Sequence, residues 1–147
     1  MQKMEPRKSC FIEVRPSPCS PEEAQDHLRA FAESFIKKAF VDRWLHITLE
    51  KPKKAEEELR KFENHLDARY CTMLHGADSF PVSLAEAYGS KRGVYFDGSE
   101  PACRMTAPEA SSLATERNAD ALFSLTPGKL ALFFFHEGYA WKCERRT

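Results

Sequence analysis

Three consecutive phenylalanines, Phe133, Phe134 and Phe135, sit in the run KLALFFFHEGYAWKCER from Lys129 to Arg145. Successive side chains of a strand point to opposite faces, so three such rings in a row cannot share one side. Their strand is therefore expected to be covered on both faces and to lie inside a sheet. Apolar residues from Leu130 to Phe135, a connection at Glu137-Gly138 and a second run through Tyr139 and Trp141 read as an antiparallel hairpin. Burying each Phe stabilises by about 1.5–3 kcal/mol, which makes this hairpin the largest apolar contributor in the chain. With 42% hydrophobic residues and 11 Phe among 147, one domain core needs neither disulfides nor metal.

The rest of the chain alternates strand and helix signals before turning strand-rich. Residues 10–14 read as a first strand after a flexible polar lead over 1–8. Ser20-Pro21-Glu22-Glu23 then has the spacing of a capping box. It opens a helix to about Ala39, with Leu28, Phe31, Phe35, Ile36 and Ala39 on one apolar face. In the stretch RWLHITLE, Leu45, Ile47 and Leu49 alternate with Trp44, His46 and Thr48, a period of two that predicts a strand. Pro52 starts a second helix with the stripe Ala55, Leu59, Phe62 and Leu66, and a third strand follows over Arg69 to His75. Pro81 to Tyr88 reads as a short helix stopped by Gly89. Val94 to Phe96 with a return over Ala102 to Met105 forms a strand pair, and Thr106 and Glu109 repeat the capping-box spacing. Leu122 to Leu125, a Pro127-Gly128 turn and the aromatic hairpin complete the chain. The expectation is one α+β domain over 1–147, with an N-terminal β-α-β-α-β order and the antiparallel aromatic hairpin in a mixed sheet.

Composition excludes several classes of function. Lys and Arg together number 22, as do Asp and Glu, so there is no basic excess for coating nucleic acid. No apolar run approaches the ~20 residues that span a bilayer, and the amino terminus has no apolar core of a signal peptide. The cysteines, Cys10, Cys19, Cys71, Cys103 and Cys143, form no C-x-x-C pair, which favours free thiols over a zinc site or a disulfide framework. These points place the protein in the cytoplasm, with no membrane partner, no cofactor and no metal. Glycine-rich phosphate loops, H-E-x-x-H and G-x-S-x-G are all absent. Ser90-Lys91-Arg92-Gly93 is a basic turn of ordinary surface type, and Cys71 and Cys143 read as core residues rather than nucleophiles.

His46 and Thr48 are the most specific candidates for chemistry. On a strand they would point to one side, an imidazole for proton transfer beside a hydroxyl for a phosphate. Here the chain resembles the two-histidine phosphoesterase superfamily, whose members carry His-x-Thr or His-x-Ser before an apolar residue on a strand. The resemblance covers the first third to half of the chain, through the order strand, helix, His-x-Thr strand, helix. It implies that His46 transfers a proton and Thr48 donates to phosphate on a cyclic or RNA-terminal phosphodiester. The family uses the motif twice, and this sequence has one copy, so His75 or His136 would have to replace the second histidine. Separately, His136 and Glu137 at the hairpin tip could join Asp97 and Glu100 in an acid-base or metal site if the two loops converge.

The other reading is a small module that binds one protein partner without catalysis, as an immunity protein neutralising a toxin does. Trp44, Tyr88, Tyr95, Tyr139 and Trp141 are its candidate contact residues, being of types enriched at interface hot spots. The final strand, Tyr139 to Glu144, is expected to leave an open edge through which a homodimer could form, guarded in part by Lys142, Glu144, Arg145 and Arg146.

Overall fold

Phe133 and Phe134 do separate to opposite faces of a sheet, and two cores form around them. The computed structural model describes residues 12–145. Its strands are β1 (Ser17–Pro18), β2 (Cys71–Leu74), β3 (Arg92–Phe96), β4 (Cys103–Thr106), β5 (Ala121–Thr126), β6 (Leu130–Phe134) and β7 (Ala140–Glu144). They form one sheet in the order β1-β4-β3-β5-β6-β7-β2. The helices are α1 (Pro21–Phe35), α2 (Lys38–Leu45), α3 (Ala55–Leu59), α4 (Pro81–Tyr88) and α5 (Ala107–Arg117).

The α+β class holds, and β6 lies in the interior between β5 and β7. On one face, Phe31 and Phe35 of α1, Trp44 of α2 and Leu59 of α3 pack with Leu122 and Phe133. On the other, Leu84 of α4 and Ala110 and Ala114 of α5 pack with Phe123, Leu132 and Phe134. Alternation along β5 and β6 thus splits neighbouring residues between the two layers. His27 of α1 is also buried against the sheet, its Nδ1 2.7 Å from Ser124 Oγ on β5. Burial holds its imidazole below the ordinary histidine range.

Every strand pair is antiparallel, so the sheet is not mixed. The connections β3–β4, β5–β6 and β6–β7 are too short for a parallel crossover. Among the described residues, the two strands that would have made the N-terminal β-α-β-α-β order are not formed. Part of the expected strand at 10–14, like the lead at 1–8, lies outside the described residues. From Ile12 the backbone is irregular and bonds to α5 instead: Ile12 N–H donates to Ser112 Oγ (3.1 Å) and Arg15 N–H to the Glu109 carboxylate (2.7 Å). Those donors, once satisfied by side chains, need no neighbouring strand.

The RWLHITLE stretch is helical. It belongs to α2 and to a wider π turn over His46–Glu50 that continues it. Trp44, Ile47 and Thr48 are the buried positions, an i, i+3, i+4 set that fits a helix and happens to coexist with alternation. The Trp44 ring packs 5.6 Å from that of Phe31, so tertiary packing selects the helix. The first helix is likewise shorter than its pattern. It ends at Phe35 because Ile36 turns extended and bridges Leu66, while Lys37 N–H donates to His65 O (2.7 Å). Ala39 is exposed in α2.

Both helix starts expected from capping-box spacing are present. Thr106 and Glu109 form a full capping box on α5. Ser20 caps α1 by accepting from Glu23 N–H, but the Glu23 carboxylate pairs with Arg104 instead of returning to the cap. The hairpin connection is longer than Glu137-Gly138: the paired strands end at Phe134 and Ala140, and Phe135 N–H donates to Tyr139 O (2.8 Å). Finally, β7 leaves no open edge. β2 pairs with its outer side, Cys71 opposite Cys143, and removes the dimer edge expected at Tyr139 to Glu144.

Candidate functional site

The β6–β7 tip, the end of α5 and the start of α4 meet around a cavity of about 350 Å³. Asn118 ends α5 in the left-handed conformation (φ 53°), and Asp120, just before β5, lies beneath the hairpin tip. The Asp120 side chain is 3% exposed. Its Oδ1 accepts the backbone N–H of His136 at 2.9 Å and lies 2.9 Å from His136 Nδ1. That contact assigns the Nδ1 proton to the Asp120 bond and leaves Nε2 as the outward nitrogen. Arg60 Nε stands 4.0 Å from the other Asp120 oxygen, and Glu137 Oε2 4.0 Å from His136 Nε2.

Phe80, Pro81, Phe134 and Tyr139 form much of the cavity wall, with Ser111 and Thr115 of α5 behind them. The serine and threonine hydroxyls there are committed to backbone carbonyls: Ser79 donates to Gly76 O (3.2 Å), Ser111 to Ser79 O (2.8 Å) and Thr115 to Ser111 O (2.9 Å). The arrangement therefore offers an oriented imidazole without an activated hydroxyl nucleophile beside it. Tyr139 and Trp141 both donate to Glu63, Trp141 Nε1 at 2.9 Å. Burial and the Glu63 carboxylate push the Tyr139 phenol up to about 12, so it stays a neutral donor.

Beside the cavity runs an apolar surface. Among the described residues the exposed large hydrophobics are Ile12 (40%), Phe80 (42%) and Val82 (66%). Phe80 lines the cavity, Ile12 and Val82 line a shallow depression next to it, and Pro81 belongs to both. The three most exposed large hydrophobics among the described residues thus border neighbouring parts of one surface.

The sequence candidates divide sharply. His46 is exposed on the outer side of the π turn, with Nδ1 3.3 Å from Glu50. Thr48 is buried and donates its hydroxyl to Trp44 O (2.9 Å). Residues two apart in a helix point roughly 200° from each other, so the pair cannot face one phosphate as it would on a strand. Trp44 (1% exposed) and Tyr95 (2%) are core residues and are withdrawn as contact residues. Tyr88 is half-buried on α4, and Tyr139 and Trp141 are half-buried against Glu63.

His136 with Glu137 and Asp97 with Glu100 line separate cavities. Asp97 is bound by Tyr95 Oη (2.8 Å), Ser99 N–H and Oγ (2.9 and 2.7 Å) and Arg117 Nη1 (2.8 Å), and Glu100 lies 3.7 Å from Arg117. The basic turn is structural, because Arg92 donates to the carbonyls of Arg15 and Arg104 and to Ser17 Oγ, which fastens β1 to the sheet. Cys71 and Cys143 are buried as expected.

Sequence reasoning missed Asp120, Phe80 and Val82. A signal for Asp120 existed in the Pro127-Gly128 hairpin: Ala121 pairs with Phe134, which carries Asp120 alongside Phe135 and His136. A register shift between Ser124 and Thr126 hides it from a count outward from the turn. Comparison of the chain with protein-family models, curated proteins and solved structures gives no match.

Proposed function

We propose that the protein is a cytoplasmic binding module that holds one protein partner through the face around Pro81. The observation that carries this reading is the clustering of Ile12, Phe80 and Val82 beside a cavity large enough to take a partner side chain. An exposed apolar patch next to a pocket with a polar rim is the usual anatomy of a protein interface. The four described cysteines are free thiols, in keeping with a reducing compartment. Among the described residues no helix is long and apolar enough to cross a membrane. A toxin is the partner class put first, and the sign of neutralisation is protection of host cells that is lost together with binding.

Native mass spectrometry of the protein taken gently from its host tests this. A stoichiometric second protein is expected. Phe80→Ala and Val82→Asp should each weaken it by more than about 1 kcal/mol, over fivefold in affinity, while circular dichroism is unchanged. A partner that both variants retain in full, or none with the starting protein, would count against the reading.

A second reading rests on Asp120 and His136. An imidazole held by a buried carboxylate can take a proton from water as its oxygen attacks an ester, then return that proton to the departing oxygen. In this form of the phosphoesterase reading, His136 takes the proton-transfer role. Turnover of a panel of carboxylic and cyclic phosphate esters is expected, falling by about 10²–10⁴-fold in His136→Asn. A starting protein without turnover removes this reading.

A further inference from the structure

The charge of the cavity indicates what enters it. Among the described residues no lysine or arginine lines it, and Glu137 is the one carboxylate that does. The Glu137 side chain is 66% exposed at the mouth, 4.0 Å from His136 Nε2. Thr115 and Asn118 bring the carbonyl end of α5 to the wall, the end of a helix that carries partial negative charge. The opposite end of α4 also borders the cavity, but through Phe80 and Pro81, and proline has no N–H to offer an anion. Phe80 and Tyr139 add aromatic rings, whose faces attract cations.

We propose that the cavity receives an arginine side chain of the protein partner, with its guanidinium on Glu137 and its stem between Phe80 and Tyr139. Arginine is preferred to lysine because a planar guanidinium both stacks on rings and pairs with a carboxylate through two N–H groups. The proposal rests on the binding reading and adds the chemistry of the partner's anchoring residue. It also works against an anionic phosphodiester at this place, since Glu137 repels one.

The test uses the full chain and a small probe. The ¹⁵N-labelled protein is titrated with acetyl-Gly-Arg-Gly-amide, and with the same tripeptide carrying Lys, Gln or Glu in the middle, followed by NMR. Saturable shifts are expected at His136, Gly138 and Tyr139 with the arginine peptide, at a Kd on the order of 1 mM as for any ligand of this size. Glu137→Gln should weaken this binding about three- to fivefold, the worth of one solvent-facing ion pair, and raised salt should do the same in the starting protein. The lysine peptide should bind more weakly, and the other two should give no saturable shift. Equal binding of the Gln peptide, an unchanged affinity in Glu137→Gln, or shifts elsewhere on the protein would overturn the proposal.

The two levels fail separately. A partner lost with Val82→Asp while the arginine peptide is inert leaves the binding module and removes the arginine. Peptide binding without any stoichiometric partner does the reverse.

Discussion

Asp97→Asn is expected to lower stability at pH 7 by about 3 kcal/mol, read from urea unfolding, because it breaks a buried ion pair rather than a surface one. The Asp97 side chain is 1% exposed, and that of its partner Arg117 is 32% exposed. Removing one member of a buried pair costs about 3–5 kcal/mol, and the lower end applies here because Arg117 can turn partly to water. An amide could still accept from Ser99 or Tyr95, but it has no charge to answer the guanidinium.

The same substitution has a pH signature. Burial alone would push the Asp97 carboxyl up, but donors from Ser99, Arg117 and Tyr95 outweigh it and hold the group below the usual carboxylate range. A carboxyl depressed in the folded state stabilises fully above its unfolded value, near 4. That contribution fades as pH falls through the lower, folded value. The gap between the starting protein and Asp97→Asn should therefore be widest at neutral pH and shrink below about pH 4. Glu58, Asp67 and Glu109 are depressed as well, so the difference between the two proteins is the informative quantity. A gap that is the same at pH 3 and pH 7 would refute this account of Asp97.

Local chemistry was legible in the sequence wherever it decided the outcome by itself. Thr106 with Glu109 set the start of α5, Pro81 and Gly89 bracketed α4, and consecutive phenylalanines required a strand with two covered faces. Reading failed where distant packing made the choice. The alternation from Trp44 to Leu49 fits a strand, yet the contact with Phe31 and the seam of Trp44, Ile47 and Thr48 make it helical. The candidate site shows the same division. His136 was visible because it sits at a turn, whereas its partner Asp120 depends on the β5–β6 register. Val82 and Phe80 look like helix-start residues in any sequence, and only the folded surface reveals that nothing among the described residues covers them to the degree other large hydrophobics are covered.

Gly93→Ala should cost about as much as the loss of Asp97, although it adds one methyl group. A Cβ at Gly93 would stand 2.5 Å from Ser124 O, 2.9 Å from Leu125 Cα and 2.9 Å from Phe123 Cζ. Two of those atoms are backbone of β5, which pairs with β3 through Val94 and Ser124, so no side-chain rotation can make room. Overpacking costs about 1–3 kcal/mol where neighbours can shift, and here the shift must open the ladder between two central strands, so the upper end or beyond is expected. Gly138→Ala is the comparison, because its φ of 102° is unfavourable for alanine while nothing lies within 4 Å of the added carbon. It should cost about 1 kcal/mol from backbone conformation alone. Thermal unfolding of the two variants separates close packing from backbone strain: a Gly93→Ala protein as stable as Gly138→Ala would mean that β3 and β5 can part without penalty. That would also loosen the frame between Asp97, at the end of β3, and Asp120, at the start of β5.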